Sequence, residues 1–310
     1  MSMPAKVILN PYAGRWLAKQ RQGDAEAALR AAGVDFILEV TEKPGHGMEI
    51  AERAVQQGYS PIIAAGGDGT ISEIVNGMLQ AAGNDLPPPL GIIPLGTAND
   101  LVKNLRLPLD LEQAARVIAT VRTQALDIGQ VTYGTPGLSR FFDNNSAMGL
   151  EPTVTLIQQR ITRLRGTLRY LVATLMSVAK NPSWEITLTW EGGEYAGPVS
   201  LVTVGNCPLT GGLFYMTPHA NPFDGLLTFV YGYMRTRREV LGLLPRTMKP
   251  ATGSYVEHPA IHEVHSPWLK IMSKTPTPLH ADGEIQSEAV REIEYRLLPG
   301  KLPVCMHQVG

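Results

Sequence analysis

The sequence has few cysteines, no long hydrophobic run and almost no net charge. Only two of its 310 residues are cysteines, Cys207 and Cys305. That number is too small for a disulfide framework and favours two buried thiols in a reducing compartment. No stretch of about 18 apolar residues occurs, so no membrane-spanning helix is predicted, and the first residues lack the pattern of a signal peptide. A formal net charge of −1 and the lack of a recognition motif argue against nucleic-acid binding.

The most informative segment is a glycine-rich turn between a predicted strand, residues 59–65, and a predicted helix. The helix is expected to begin at Thr70, because Thr70 and Glu73 match a capping box and apolar residues follow at helical spacing. Glycines let a ligand approach the backbone, and free N–H groups at a helix start favour anions. This chemistry suits a phosphate chain, beside which Asp68 fits chiefly with a magnesium ion.

Alone, this turn is a weak signal, since glycines also serve tight turns, and it matches neither the P-loop nor the dinucleotide-binding motif. A second turn of the same kind spans residues 96–100. Its Thr97 and Asn99 can bond phosphate or ribose oxygens, or they can cap a helix. Further strand–turn–helix units begin near residues 7 and 36. Repeated units of this kind predict a parallel sheet that binds ligands at the carboxyl ends of its strands.

After about residue 125 the pattern changes to short strands separated by turn residues, which predicts an antiparallel β-sandwich. The candidate strands are residues 125–132, 140–144, 184–191, 195–204, 226–233, 268–273 and 290–297.

Three motifs of the first half, Asn10-Pro-x-x-Gly14, Gly66-Gly-Asp-Gly-Thr70 and Pro94-Leu-Gly-Thr-Ala-Asn-Asp100, together resemble the diacylglycerol kinase catalytic-domain family. The resemblance continues through Asp224-Gly-Leu-Leu227 and His280-Ala-Asp-Gly-Glu284, in the family's order. The compact length is most similar to the bacterial soluble lipid kinases of diacylglycerol or phosphatidylglycerol type, which are related to sphingosine and ceramide kinases.

The resemblance implies a fold of the NAD kinase/diacylglycerol kinase type. An α/β nucleotide-binding domain with a parallel sheet would span residues 1–125 and be rejoined by residues 293–310. A β-sandwich lipid-substrate domain would span residues 126–292, with the active cleft between the two domains.

The resemblance also implies which residues act. The nucleotide would be held by residues of the first domain: Asn10, Thr41, Gly66, Gly67, Asp68, Gly69, Thr70, Glu73, Thr97 and Asn99. Asp68 would act on the magnesium-linked triphosphate of ATP. Glu284 would accept the proton of the attacking hydroxyl, and Asp282 would orient it or the metal; the alternative is a simple Asp-Gly turn between strands.

A second, structural magnesium ion is implied at Asn221, Asp224 and the carbonyl of Leu226. This chain has His219 and Asn221 where family members commonly carry aspartates, and fewer charges should weaken that site.

Several cations are candidates for contact with phosphate or lipid. Arg15 and Lys103 fit this role or are solvated surface charges. The basic segment over residues 156–180, which includes Arg165, has apolar residues at helical spacing, so it either docks on anionic lipid or packs as core with a solvated arginine face.

The sequence therefore predicts an ATP-dependent lipid kinase that uses Mg²⁺. It would phosphorylate a primary hydroxyl of a diacylglycerol-, phosphatidylglycerol- or sphingoid-type lipid at an anionic membrane surface. The expected location is the cytoplasm, with peripheral association at the inner face of the membrane, and family members often form homodimers. The alternatives are an NAD kinase and a nucleotide-responsive membrane-binding protein without catalysis.

Overall fold

The computed structural model describes residues 3–135, 137–161, 166–180, 182–250 and 252–306. The chain forms two compact units. Unit 1 comprises Met1–Ile128 and Leu298–Gly310, and unit 2 comprises Gly129–Leu297. The sequence had placed the corresponding boundaries at 125/126 and 292/293.

Unit 1 is an α/β unit. Its elements, in chain order, are β1 (Ala5–Leu9), α1 (Leu17–Gln20), α2 (Gln22–Ala31), β2 (Phe36–Val40), α3 (His46–Gln56), β3 (Ile62–Gly66), α4 (Asp68–Ala82), β4 (Leu90–Pro94), α5 (Asp100–Asn104), α6 (Leu111–Ala119) and the start of β5 (Thr123–Tyr133).

The sheet of unit 1 has the parallel order β4-β3-β1-β2. The strands β1, β3 and β4 are short and fully buried, as expected for strands that are covered on both faces, whereas the edge strand β2 is partly exposed. Side chains of β1, β3 and β4 on one face share a core cluster with α2 and α6, and α3 and α4 pack against each other and against β1 and β3. The parallel arrangement brings the carboxyl ends of β1, β3 and β4 to one edge, where the three polar turns predicted from the sequence emerge.

Unit 2 is built mainly of antiparallel strands. Its elements are the remainder of β5, β6 (Leu138–Phe142), β7 (Asn145–Gly149), α7 (Leu150–Arg160), α8 (Gly166–Lys180), β8 (Trp184–Trp190), β9 (Gly193–Val199), β10 (Leu201–Gly205), β11 (Leu209–Thr210), β12 (Phe214–Tyr215), β13 (Leu227–Gly232), α9 (Arg237–Leu243), β14 (Ile261–Ser266), β15 (Trp268–Ala281) and β16 (Glu284–Cys305), which ends in unit 1.

The predicted sandwich is confirmed, and β15 connects its two layers. Residues 269–273 of β15 pair with β8, whereas residues 279–281 pair with β7. Register shifts lie between these two stretches, as is usual where a strand changes sheets. One core cluster contains side chains from both layers, including Ile186 and Leu188 of β8 and Val202 and Val204 of β10.

Several predicted element boundaries were wrong. The expected strand over residues 140–144 ends early: β6 stops at Phe142, Asp143 and Asn144 lie in no strand, and β7 begins only at Asn145. The expected strand over residues 195–204 is divided at Ser200 into β9 and β10. The basic segment over residues 156–180 is not one helix: α7 ends at Arg160, and α8 begins at Gly166.

Both cysteines are buried free thiols. Burial raises the pKa of Cys305 to about 11. Of the helices that the structure describes, none has both the length and the apolar character needed to cross a bilayer.

Candidate active site

The turns after β1, β3 and β4 pack backbone against backbone. A Cβ atom on Gly67 would lie 3.0 Å from the Cα of Gly96, and one on Gly14 would lie 2.8 Å from the carbonyl oxygen of Leu95. Gly14 also has a positive φ of 58°, which glycine adopts without strain. The glycines thus bring three strand ends into direct contact and leave their polar side chains clustered.

The side chain of Asn10 links the first turn to the second. Its amide nitrogen donates to the hydroxyl of Thr70 over 3.0 Å, while its oxygen accepts the N–H of Tyr12, also at 3.0 Å. The hydroxyl of Thr70 therefore does not cap α4. The predicted helix start was wrong: α4 begins at Asp68, and its N-cap residue is Gly67, which has no side chain to cap the helix.

Glu73, the other half of the predicted capping box, instead caps a neighbouring helix. Its carboxylate accepts the N–H groups of Gly45 at 2.8 Å and Gly47 at 3.0 Å, at the start of α3. A negative charge at a helix N-terminus is stabilising. Glu73 thereby fixes the segment that follows Thr41. Thr41 itself is buried, and its N–H donates to the carbonyl of Leu9 at 2.8 Å.

Asp68 joins the second turn to the third. Its Oδ1 accepts the N–H of Asp100 at 2.6 Å and that of Leu101 at 3.4 Å, so it caps α5. Its Oδ2 accepts no hydrogen bond within the described part of the chain. One carboxylate oxygen is thus held by the fold, and the other has the chemistry of a magnesium ligand, alone or through water. Asp68 therefore fits the predicted magnesium ion.

Asn99 and Thr97 differ in how they are held. The side-chain amide of Asn99 bonds both the N–H and the C=O of Gly96 at 3.1 Å and, with φ at 51°, makes no capping bond to α5. Capping is thus not the role of the Asn99 side chain. Thr97 is exposed, as are Arg15 in the first turn and Lys103 in α5. Arg165 lies outside the described residues.

In unit 2 the Asp282-Gly283 pair forms the hairpin turn between β15 and β16. Both residues have positive φ, 47° and 76°, and Ala281 pairs with Glu284 across the turn. This matches a two-residue type I′ turn, for which Asp-Gly is a preferred sequence. The turn that the sequence offered as an alternative is therefore present, and it presents Glu284 as the first residue of β16.

Asp282 holds the connection between β6 and β7. Its Oδ1 accepts the N–H groups of Asn144 and Asn145 at 3.1 Å each, and its Oδ2 accepts that of Asp143 at 3.2 Å. The backbone N–H of Asp282 donates to the carbonyl of Asn145 at 2.7 Å. A carboxylate that accepts three backbone N–H groups is firmly oriented, so Asp282 fixes the turn next to Glu284.

Glu284 is paired with Arg140 of β6. Nη2 of Arg140 lies 3.2 Å from Oε2 of Glu284; the Arg140 side chain is 13% exposed and that of Glu284 is 44% exposed. A nearly buried cation thus orients a carboxylate that solvent or a substrate can reach. The Tyr133 hydroxyl, which donates to Gln286 at 3.4 Å, lies in the same region. Burial raises the pKa of Tyr133, and the charge of Arg140 opposes that shift.

No motif in the sequence singles out Arg140 or the buried polar run 143–146. Asn206 donates to the carbonyl of Asp143 at 2.9 Å, and Asn144 donates to that of Leu209 at 3.1 Å. The hydroxyl of Ser146 lies 3.1 Å from that of Tyr295. Four consecutive polar residues between two apolar runs were the available signal, since buried polar groups need specific partners. Arg140 had no comparable signal.

The predicted structural magnesium site contains an Asx turn. Oδ1 of Asp224 accepts the N–H of Leu226 at 3.0 Å, and the N–H of Asp224 donates to the carbonyl of Asn221 at 3.4 Å. His219 is 2.6 Å from Glu263. Nowhere in the described residues do three or more His, Cys, Asp or Glu side chains form a metal-binding group. A metal ion at Asp224 would therefore depend on backbone carbonyls and water.

The fold places the chain in the class of proteins that combine an α/β domain with a β-sandwich domain. Residues 4–131 match the model of the diacylglycerol kinase catalytic domain, and residues 145–306 match the YegS C-terminal NAD kinase beta sandwich-like domain. The chain belongs to the diacylglycerol kinase-like family defined by these two domains. Membership supports a transferase that acts as a lipid kinase.

Individual relatives agree with this assignment. Proteins named diacylglycerol kinase from Staphylococcus saprophyticus and Staphylococcus aureus are 29% identical over 286 residues, which is 92% of this chain and 90% and 87% of theirs. The solved structure of a diacylglycerol kinase from Bacillus anthracis has a TM-score of 0.74 at 21% identity, over 98% of this chain and 97% of that one. Yeast NADH kinase in complex with NADH has a TM-score of 0.55 at 12% identity, over 98% and 83%. Both structural likenesses concern the fold alone.

Proposed function

We propose that this protein transfers the γ-phosphate of ATP to the primary hydroxyl of a membrane lipid, with Glu284 as the general base. The observation that carries the proposal is the setting of Glu284. It follows a turn that Asp282 fixes, it is oriented by Arg140, and it remains 44% exposed. A general base has to be both held and accessible, because it receives the hydroxyl proton during transfer.

The nucleotide is assigned to the turns of unit 1. Asn10, Thr70 and the backbone of residues 66–70 bind the phosphate chain at the start of α4, where N–H groups and the helix dipole favour anions. Glu73 positions the segment from Thr41 to Gly47, which lines the same edge of the sheet. Mg²⁺, when bound with ATP at Asp68, neutralises charge on the transferred phosphoryl group.

The acceptor is a lipid with a primary alcohol. Diacylglycerol is the first candidate, because the relatives that cover nearly the whole chain are named for it. Phosphatidylglycerol and sphingoid bases have the same reacting group. Four further points remain predictions. They are contacts of Arg15, Lys103 and Arg165 with phosphate or headgroups, a magnesium ion at Asp224, a homodimer, and a location at the inner face of the membrane.

NAD kinase is the second candidate, because the fold of yeast NADH kinase is similar to that of this chain. The discriminating experiment supplies ATP labelled at the γ-phosphate together with a panel of lipids in mixed micelles, and with NAD in parallel. Label in a lipid supports the proposal. Label in NAD and in no lipid refutes it.

The role of Glu284 is tested by Glu284→Gln, which keeps the size of the side chain and removes its basicity. We expect folded protein, retained ATP binding and a kcat at least about 100-fold lower. Glu194→Gln, an exposed position on β9, is the matched control and should retain kcat. Near-normal turnover of Glu284→Gln would remove Glu284 from the role of base.

A further inference from the structure

The turn after β1 exposes three large apolar side chains. Tyr12 is 48% exposed, Trp16 is 50% and Leu17 is 51%. The rings of Tyr12 and Trp16 meet edge to face with centroids 4.5 Å apart. Scattered apolar residues on a surface need no explanation, but three exposed apolar side chains in one turn, two of them in ring contact, indicate an interaction site. We call Tyr12, Trp16 and Leu17 the aromatic wedge.

The backbone holds the aromatic wedge outward. Arg15 and Trp16 are consecutive residues with positive φ, 59° and 74°, a conformation that is uncommon for residues with a side chain. The turn is anchored on both sides of them. Gly14 packs on the carbonyl of Leu95, and Ala18 is fully buried. An unfavourable backbone conformation is therefore maintained by its surroundings, and it keeps the indole in solvent instead of in the core.

The charged residues next to the aromatic wedge in the sequence are cations as far as Arg21, and the first acidic residue to follow is the exposed Asp24. No acidic residue occurs in residues 3–23, and the one buried cation there, Lys6, is already paired with Glu39. Arg15, Lys19 and Arg21 are exposed and make no ion pair with the described residues. The Lys19 ammonium lies 5.7 Å from the centre of the Trp16 ring, within the range of a cation–π contact.

We propose that the aromatic wedge inserts into the interfacial layer of a bilayer that contains anionic lipid, while Arg15, Lys19 and Arg21 bind the headgroups. Tryptophan and tyrosine favour the membrane interface, because their rings combine an apolar body with a polar edge. Juxtamembrane cations are attracted by anionic leaflets. The proposal rests on the proposed lipid kinase function for its purpose: insertion would hold the phosphate-binding turn that begins at Asn10 close to the lipid surface.

The first test uses the fluorescence of Trp16. The other tryptophans, Trp184, Trp190 and Trp268, all belong to unit 2. Vesicles of phosphatidylcholine and phosphatidylglycerol with brominated acyl chains should quench the wild-type protein. They should have much less effect on Trp16→Phe, a conservative change at an exposed site. Equal quenching of the two proteins, or no quenching of the wild type despite binding, would overturn insertion of the aromatic wedge.

The second test measures partitioning by vesicle sedimentation. The double variant Tyr12→Ser/Trp16→Ser should bind anionic vesicles about 10- to 100-fold more weakly. Leu86→Ser removes an exposed apolar side chain elsewhere in unit 1 (64% exposed) and should bind like the wild type. Unchanged binding of the double variant would refute the proposal. A circular dichroism spectrum like that of the wild type shows that the double variant has folded. If it has not folded, the quenching test with Trp16→Phe decides instead.

The third test concerns charge. Lys19→Gln and Arg21→Gln should each weaken binding about fivefold at low salt and should have no effect with pure phosphatidylcholine. The matched control is Arg116→Gln, at an exposed residue of α6. Insensitivity of vesicle binding to Lys19 and Arg21 would contradict the headgroup contacts.

Kinase assays separate this proposal from the proposed function. For the double variant, the rate on vesicles should fall much further, relative to the wild type, than kcat on a water-soluble short-chain diacylglycerol. A wild-type protein that phosphorylates no lipid but inserts Trp16 would refute the kinase and leave the membrane contact standing. A kinase that works equally well on vesicles with and without the aromatic wedge would refute the membrane contact alone.

Discussion

Replacing Asp282 by Asn tests whether one carboxylate maintains the structure beside Glu284. Asn has nearly the same shape and tolerates the positive φ of 47° at this position. It retains one oxygen, which can still accept the N–H groups of Asn144 and Asn145. Its NH₂ group, however, would face the N–H of Asp143, so that bond is lost and two donors oppose each other.

The magnitude follows from these three bonds. A hydrogen bond to a charged group contributes about 1.5–3 kcal/mol. The variant loses one such bond outright, and the remaining two become neutral and weaker. We therefore expect a loss of about 2–4 kcal/mol in the free energy of unfolding of unit 2, which corresponds to roughly 5–15 °C in Tm for a unit of this size.

The assay is urea unfolding followed by circular dichroism and by the fluorescence of the unit 2 tryptophans. Asp110→Asn makes the same chemical change at the N-cap of α6, where the side chain accepts one N–H, from Gln113. Asn caps helices about as well as Asp, so this control should stay within about 0.5 kcal/mol of the wild type. A loss for Asp282→Asn no larger than the control's would show that the three bonds contribute little.

Two further predictions concern carboxylates of unit 1. Glu73→Gln should raise the KM for ATP severalfold and lower the free energy of unfolding by about 1–2 kcal/mol, because it weakens the bonds that hold the start of α3. The control Glu49→Gln, at an exposed position of α3, should change neither quantity. An unaltered KM for ATP in Glu73→Gln would remove Glu73 from any positioning role. For Glu39, burial works to raise the pKa, but the hydrogen bond and charge of Lys6, 2.6 Å away, outweigh it and the pKa is lowered. Because the pKa of Glu39 is lower in the folded than in the unfolded state, its ionised carboxylate stabilises the fold at any pH above the unfolded pKa. This stabilisation is lost as the pH falls through the lowered pKa of the folded state. Glu39→Gln should therefore be less stable than the wild type at pH 7, with a difference that shrinks on acidification, as measured by urea unfolding at a series of pH values. A constant difference from pH 7 to pH 3 would refute the assignment.

The arrangement of the sheet and the sandwich followed from local patterns. Short apolar strands that end in glycine or hydroxyl residues can be recognised from each segment of the sequence alone. The Asp-Gly pair at residues 282–283 likewise predicts a turn by itself. Such signals depend only on neighbours in the sequence, which is why the α/β unit, the sandwich and the polar turns could be anticipated.

The failures came from bonds between distant residues. The predicted capping box did not form because Thr70 bonds Asn10, 60 residues away, and Glu73 bonds Gly45, 28 residues away. The strand expected to reach residue 144 ends at Phe142, because the backbone N–H groups of Asp143 and Asn144 bond Asp282, 138 residues from Asn144. The pairing of Arg140 with Glu284 spans 144 residues. A single sequence cannot reveal which of several polar residues will be a partner at such separations.

The path of β16 affects the order in which the protein can be made. Unit 1 contains the end of this strand: Val304 pairs with Leu90 of β4, and the N–H of Gly300 donates to Asp127, 173 residues earlier. A ribosome delivers these two parts of unit 1 at widely separated times, with all of unit 2 emerging between them. The first 128 residues must therefore wait with one edge of their sheet unpaired, the kind of edge that other chains can join. Of the two units, the second in the sequence is the first that can be completed during translation.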